Sequence, residues 1–194
     1  MDEKKIIQKL RKLLGPSRFK HSLRVKEKAL HLSRFHKVDQ KKAGIAGLLH
    51  DVSRYMDRTR LLKLAEKIKM KIDPIARFEP KLLHAPLSAY IARTKFGIKD
   101  RQILKAVSSH TLGRKNMTML EKIVYVADHV EEGRSHSGAA HARRLAQMDI
   151  NQAVVAISSS MIKYLLDNDL PVHPMTVEVR NYYLIKHAQK KKLS

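Results

Sequence analysis

Two adjacent polar residues, His50 and Asp51, end a run of small and apolar residues and could bind a metal ion. Residues 41–52 follow a helical pattern whose small-residue face should pack closely against another helix. Placing an imidazole and a carboxylate on that face costs about 2–7 kcal/mol for an unpaired polar group, and more for a charge, unless a partner compensates. A metal ion is one such partner, because imidazole and carboxylate together suit iron, manganese or zinc. The alternative is a buried His–Asp hydrogen bond.

Four more polar residues fall on apolar helical stripes where a hydrophobic residue is expected. They are His21, His84, His110 and Asp128. A single histidine on an apolar stripe is more often a core residue with a satisfied hydrogen bond than a ligand. Several helices that each direct a histidine or an aspartate inward are better explained by a two-metal site at the centre of a helical bundle. Four imidazoles and two carboxylates would leave positions on the metals open for water and substrate.

Helical periodicity runs through almost the whole chain, and no alternating strand pattern is found. The sequence therefore predicts an all-α protein. The predicted helices cover residues 2–14, 19–36, 41–53, 57–70, 81–96, 100–110, 118–131, 142–148, 149–166 and 175 into the C-terminal tail. Residues 72–80 contain two prolines and are predicted to form a loop. Residues 132–141 contain Gly and Ser and are predicted to form a mobile lid near three histidines (His129, His136 and His141), which we interpret as ordinary loop residues.

The composition is typical of one globular domain with an aliphatic core. The chain has 194 residues, of which 43% are hydrophobic and none is Trp or Cys. We therefore expect a single domain over residues 1–194. The lack of cysteine excludes disulfides and thiolate metal sites. The charged first residues do not resemble a signal peptide, and no window approaches the ~18 apolar residues of a membrane span. We expect a cytoplasmic protein that does not bind membranes.

The charge of the chain is strongly basic, with 40 Lys and Arg against 18 Asp and Glu and a net charge of +22. Such a field attracts polyanions, including nucleotides and nucleic acids. The basic residues are spread along the chain, apart from a Lys-rich tail at residues 186–194 that is a candidate for disorder. The few aromatic residues and the lack of known RNA- or DNA-binding motifs favour a solvated basic surface. RNA binding through this surface is an alternative.

The ordered set of motifs resembles the HD-domain superfamily of metal-dependent phosphohydrolases. The resemblance is closest to its symmetrical bis(5′-nucleosyl)-tetraphosphatase branch. It covers nearly the whole chain, in segments 21–25, 46–51, 83–86, 110–114, 120–134 and 173–177. The resemblance implies an HD-domain helical bundle with a central two-metal site, typically of iron. It also implies cleavage of diadenosine tetraphosphate, and of related dinucleoside polyphosphates, into two ADP by attack of a metal-activated water.

Carried over position by position, the resemblance assigns a role to each of the six polar residues. One metal would be bound by His21, His50, Asp51 and Asp128. The second would be bound by His84 and His110, with Asp51 bridging both metals and also counted as catalytic. Manganese, zinc or nickel could take the place of iron, because histidine and aspartate accept all of them.

Three arginines near the ligands in the sequence are candidates for binding phosphate. They are Arg54, Arg114 and Arg134. Each could hold phosphate oxygens in a bidentate way, and Arg54 and Arg114, which closely follow a ligand, are also expected to act in catalysis. The alternative is a solvated surface arginine. Glu131 is expected to form an ion pair with Arg134. The chain departs from the family pattern at Arg54, where Lys is usual, and at Ala85, where Gly is usual.

Two other functions remain open at this point. A nucleotidase, an alarmone hydrolase or a phosphodiesterase would use the same metal site on another nucleotide. A basic RNA-associated protein could use the HD fold as a scaffold without catalysis. The sequence does not determine the oligomeric state.

Overall fold

The computed structural model describes residues 2–135 and 137–192, which form helices and connecting turns without a β-strand. This confirms the predicted all-α class. In chain order the helices are α1 (Glu3–Leu13), α2 (Pro16–Phe35), α3 (Gln40–Leu49), α4 (Arg58–Lys67), α5 (Pro74–Phe78), α6 (His84–Phe96), α7 (Arg101–Ser109), α8 (Met119–Val130), α9 (Ser137–Met148), α10 (Ile150–Asp167) and α11 (Pro174–Lys192), with a 3₁₀ turn at Pro80–Leu83. None of these helices is long and apolar enough to cross a membrane.

Short polar residues begin several helices where the sequence predicts them. The side chains of Asp100 and Asp149 accept backbone N–H groups at the starts of α7 and α10. Thr118 and Glu121 form a reciprocal capping box at the start of α8. Gly97 ends α6 in the left-handed conformation with φ of 66°, which a residue without Cβ adopts at little cost.

Two elements differ from the prediction. A five-residue helix, α5, interrupts the predicted loop at residues 72–80, because Asp73 caps it and Pro74 suits its first position. The helix α9 begins at Ser137, so the second half of the predicted lid at residues 132–141 is helical. Of the three histidines near this segment, His136 lies outside the described residues. The last helix, α11, runs into the Lys-rich tail, to Lys192, in agreement with the helix predicted from residue 175 onward.

The helix α3 lies at the centre of the bundle, where it contacts α1, α2, α6, α7 and α8. Its small residues allow this, and Ala43 and Ala46 are fully buried. Gly47 meets the backbone of α2 directly: a Cβ at this position would lie 3.0 Å from Cα of Lys26 and 3.2 Å from the carbonyl oxygen of Val25. This approach brings the end of α3, and with it His50, against α2.

An ion pair connects the loop after α7 to α8. The carboxylate of Glu121 is fully buried and accepts from Nε and Nη2 of Arg114, both at 2.6 Å, and from Oγ of Ser109 at 3.2 Å. Burial alone would raise the pKa of Glu121, but the hydrogen bonds from Arg114 and Thr118 outweigh it and lower the pKa below the ordinary value. The pair therefore stabilises the loop as long as Glu121 is ionised.

The close approach of α2 and α3 predicts opposite results for two glycines of α3. In Gly47→Ala the new methyl group meets backbone that cannot move aside, so we expect a loss of about 1–3 kcal/mol in unfolding free energy. In Gly44→Ala the methyl group meets only flexible side chains, with Cδ2 of Leu30 at 3.3 Å and Cγ of Lys26 at 3.8 Å. That variant should keep or slightly gain stability, since alanine favours a helix over glycine by about 1 kcal/mol. Urea unfolding of both variants provides the check, and equal midpoints would contradict this account of α3.

The buried pair predicts a pH-dependent effect of Glu121→Gln. Because the folded-state pKa of Glu121 is lowered, its stabilisation is present above the unfolded pKa, about 4.3, and is lost as pH falls through the folded pKa. At neutral pH the variant should lose about 1.5–3 kcal/mol of unfolding free energy. The difference from the parent protein should shrink in urea titrations below about pH 4. The control Glu66→Gln, in an exposed pair with Arg77, should cost less than about 1 kcal/mol; a pH-independent difference for Glu121→Gln would exclude the ion pair as the cause.

Candidate metal centre

Five helices and the turn after α3 bring the six predicted ligand side chains to one place in the core. His21 lies in α2, His84 begins α6, and Asp128 lies in α8. His50 and His110 directly follow the last residues of α3 and α7. Four of the groups lie pairwise in contact: Nε2 of His21 is 3.2 Å from Nε2 of His50, and Nε2 of His84 is 3.0 Å from Nε2 of His110.

Asp51 lies between the two pairs of histidines and offers one oxygen to each pair. Its Oδ1 lies 3.3 Å from Nε2 of His84 and 3.7 Å from Nε2 of His110. Its Oδ2 lies 3.9 Å from Nε2 of His21 and 3.7 Å from Nε2 of His50. This arrangement suits a carboxylate that bridges two ions.

Asp128 lies closest to one of these pairs, His21 and His50. Its Oδ1 lies 3.1 Å from Nε2 of His21 and 3.7 Å from Nε2 of His50. Among the described residues, three sets of side chains have ligand atoms within 4.8 Å of one another, and each set holds two histidines and one aspartate. The sets are His21–His50–Asp51, His50–His110–Asp128 and Asp51–His84–His110.

The hydrogen bonds of the histidine rings determine which nitrogen faces the centre. Nδ1 of His50 donates to the carbonyl of Gly47, and Nδ1 of His110 donates to the carbonyl of Val107, each at 2.7 Å. Nδ1 of His84 donates in the same way to the carbonyl of Lys81. A carbonyl only accepts, so in the neutral rings the proton is on Nδ1 and the lone pair of Nε2 points into the cluster. This tautomer leaves Nε2 free to bind a metal while an acceptor holds the N–H of Nδ1, an arrangement common among metal-binding histidines.

Burial and neighbouring groups shift the pKa values of the histidines and aspartates in the cluster. Burial lowers the pKa of His50 to about 4 and the pKa of His84 to about 3, so both rings are neutral at neutral pH. Burial alone would raise the pKa of both aspartates, but the surrounding imidazoles outweigh it and hold the pKa of Asp51 and Asp128 below the ordinary value. Burial alone would also lower the pKa of His110, but its contacts with Asp51 and Asp128 outweigh it and raise that pKa. Imidazole nitrogens and two carboxylates fit divalent ions such as iron, manganese or zinc.

Glu131 contacts His21 rather than pairing mainly with Arg134. Its Oε1 lies 3.1 Å from Nδ1 of His21, and its carboxylate accepts two hydrogen bonds from Arg24 and one from the N–H of Gly133. Arg134 is more distant, with Nε 3.9 Å from Oε1. Glu131 is only 1% exposed, and although burial alone would raise its pKa, these bonds lower the pKa to about 2. The predicted Glu131–Arg134 pair is thus the minor contact.

A cavity of about 500 Å³ opens above the cluster, with arginines in its wall. Nη2 of Arg134 donates to Oδ1 of Asp128 at 2.7 Å, and Nε of Arg54 lies 3.8 Å from Oδ2 of Asp51. Arg18 also belongs to this wall, with Nη1 3.0 Å from Oδ2 of Asp51. Sequence reasoning missed Arg18, although its position three residues before His21 places both on one face of α2.

Arg114 is not brought to this cavity. After His110 the chain turns through Gly113, whose φ is 68°, and the Arg114 guanidinium pairs with Glu121. It lines a different cavity, together with Thr111, Leu112 and Gly113. The turn and the ion pair direct the Arg114 guanidinium to Glu121, so it does not line the cavity above the cluster.

Three other residues within the sequence motifs have defined places. His129, interpreted from the sequence as a loop residue, is part of α8, where its Nδ1 donates to the carbonyl of Tyr125 at 2.9 Å. Its side chain lines the cavity. His173 accepts the N–H of Met175 at 3.0 Å and so holds the turn into α11, as its position before Pro174 suggests. Ala85 is buried in the first turn of α6, where the methyl group is accommodated.

Curated proteins of known name resemble the chain over nearly its full length. It is 33% identical over 186 residues to a protein of Halalkalibacterium halodurans, which covers 96% of this chain and 99% of that protein. It is 32% identical over 182 residues to a protein of Bacillus subtilis, with 94% and 97% covered. Both relatives are named bis(5′-nucleosyl)-tetraphosphatase, symmetrical.

A solved structure and a family model agree with these relatives. The crystal structure of a predicted HD superfamily hydrolase involved in NAD metabolism, from Clostridium acetobutylicum, matches with a TM-score of 0.92 at 33% identity. The match covers 96% of this chain and 98% of that one. The model of the HD domain matches residues 18–133, which include all six clustered side chains. The chain belongs to the HD domain family and is a relative of its symmetrical bis(5′-nucleosyl)-tetraphosphatases.

Proposed function

We propose that this protein hydrolyses diadenosine tetraphosphate and related dinucleoside polyphosphates symmetrically, to two nucleoside diphosphates. The observation that carries the proposal is the buried cluster of four imidazoles and two carboxylates, open to a cavity with arginines in its wall. The choice of substrate is supported by the relatives at 32–33% identity, whose names state this activity.

Two divalent ions would be held by the cluster. His21, His50, Asp51 and Asp128 would bind one ion, and Asp51, His84 and His110 would bind the other. When bound, such a pair of ions lowers the pKa of water and stabilises the charge that develops on phosphoryl oxygens. Iron is the metal that the family resemblance favours, and manganese, zinc and nickel are compatible with the same donors.

The arginines of the wall would bind the polyphosphate. Arg54 has a side chain 22% exposed, and burial lowers the pKa of this guanidinium below its ordinary value. Arg18 and Arg134 flank it at the edge of the cluster. Guanidinium groups in such a place can hold phosphate oxygens by paired hydrogen bonds and orient the central anhydride over the cluster.

The whole chain would act as one catalytic domain. The helix α10 follows residues 18–133, the part that the HD model matches, yet it supplies Met161 and Tyr164 to the wall of the cavity. It also packs on α8, α9 and α11. The helices after the matched segment therefore complete the site, in support of a single domain over residues 1–194.

Glu131 would act on the ion through His21. Each of the four described histidines of the cluster has a partner at Nδ1. For His21 this partner is the carboxylate of Glu131, whereas the other three rings donate to backbone carbonyls. A carboxylate at Nδ1 fixes the tautomer and makes Nε2 a stronger donor. Arg24 and the N–H of Gly133 in turn hold Glu131 in place.

Product analysis tests the proposed reaction. We expect the protein, loaded anaerobically with ferrous iron, to convert diadenosine tetraphosphate to ADP as the sole product on anion-exchange chromatography. Asp51→Asn should lower the rate by more than about 100-fold, because even residues that only support a ligand contribute about 10–100-fold. Asp167→Asn, which affects an exposed pair with Lys163, is the matched control and should be unchanged. ATP and AMP as products would contradict symmetrical cleavage, and activity only on other nucleotides would favour a nucleotidase or phosphodiesterase.

A pair of neighbouring glutamates tests the role of Glu131. Glu131→Gln should weaken metal binding by about 10–100-fold, because the neutral amide supports His21 less well than a carboxylate. Glu132→Gln, at an exposed carboxylate that pairs with Lys28, is the control and should bind metal like the parent protein. Competition titration of the purified variants against a chelator measures the affinity directly. Equal affinities in the two variants would show that Glu131 only supports the fold.

A further inference from the structure

A second cavity, of about 270 Å³, meets the first at the cluster. The two cavities share four wall residues: Arg54, His84, Thr111 and Met161. Oγ1 of Thr111 lies 2.9 Å from Nε2 of His84 and 3.1 Å from Nε2 of His110, so the shared wall is next to the proposed ligands. A molecule that extends from one cavity to the other must pass the cluster.

The chemistry of the second cavity differs from that of the first. Of the three arginines that line the first cavity, only Arg54 also reaches the second. Its wall is mostly apolar and includes Leu112, Leu165 and Leu170. An apolar wall with a few polar groups is typical of sites that bind a ring system rather than a polyanion.

An aromatic ring stands exposed at the second cavity. Phe78, the last residue of α5, is 71% exposed, the most of any large hydrophobic residue described in the structure except Met148. The short helix that carries it is held by Asp73, which accepts the N–H groups of Ile75 and Ala76. A nucleobase can stack on such a ring, since every base has a π-face.

Symmetrical cleavage requires two binding subsites, one for each half of the substrate. The central anhydride of a dinucleoside tetraphosphate has one nucleoside diphosphate on each side, so a site that cuts there must accommodate an equal half on each side of the cluster. The first cavity, with its arginines, suits the polyphosphate and one half. The second cavity is a space on the other side of the shared wall.

We propose that the second cavity is a nucleoside subsite, which holds the base of one half of a dinucleoside tetraphosphate against Phe78. This inference rests on the proposed function, because it places the second half of the proposed substrate. It assigns a binding role to α5 and to the segment between α10 and α11, which includes Leu170 and Pro171. Neither contributes a ligand to the cluster.

Steady-state kinetics of two phenylalanine variants provide the first test. Phe78→Ala should raise KM for diadenosine tetraphosphate by about 5- to 20-fold, because one stacking contact is lost, while kcat stays within about twofold. Phe35→Ala is the matched control, since Phe35 is also exposed but lines neither cavity. Its KM should equal that of the parent protein. Thermal melting of both variants verifies that they fold.

The absence of tryptophan from the chain allows a direct binding test. Phe78→Trp places the only tryptophan of the variant at the proposed subsite, and ADP should quench the indole fluorescence, excited selectively, in a saturable way as the base stacks on it. Phe35→Trp should show no saturable response. ADP is used because it is the expected product and requires no turnover.

The outcomes separate the subsite from the reaction. If the parent enzyme cleaves diadenosine tetraphosphate but Phe78→Ala keeps its KM and Phe78→Trp ignores ADP, the subsite is overturned and the proposed function stands. If the parent enzyme does not cleave this substrate, the proposed function is contradicted. In that case saturable quenching at Phe78→Trp still supports a nucleoside subsite, and its absence overturns it.

Discussion

The burial of four imidazoles and two carboxylates where five helices meet is the constraint on which the rest of this structure depends. Buried polar groups are tolerated only when each finds a partner. Three of the rings find one in a backbone carbonyl three residues earlier, as His50 does at Gly47. This local bond also turns Nε2 toward the centre. The same hydrogen bonds that give the buried rings and these carbonyls a partner therefore also orient the candidate ligands.

The helix α8 is anchored near both ends by buried glutamates, and this holds Asp128 in place. Glu121, in its first turn, pairs with Arg114 in the loop that follows His110. Glu131, directly after its last residue, contacts His21 and Arg24 of α2. The two contacts set the position of α8 relative to α7 and α2. An arginine that the sequence places near the ligands thus supports the site from outside, by positioning the helix that carries a ligand.

The wall above the cluster comes from elements far apart in the chain. Arg18 lies in α2, Arg54 in the turn after α3, Arg134 after α8, and Met161 in α10. The candidate metal ligands lie at the floor of the cavity and the three arginines lie in its wall. Attraction for a polyanion is therefore strongest where the cluster opens to the cavity. The net charge of +22 adds a long-range field of the same sign, which raises the rate of encounter with anionic substrates.

The sequence by itself determined the all-α class, the starts of helices at Asp100, Thr118 and Asp149, and the six polar residues of the core. These follow from local periodicity and from polar groups on apolar stripes, which a single chain displays before it folds. Only the tertiary structure decided that Arg18 joins the cavity while Arg114 does not. Side-chain partners across helices depend on the packing and direction of each turn, which no local pattern encodes. The second cavity is likewise a product of packing between distant segments.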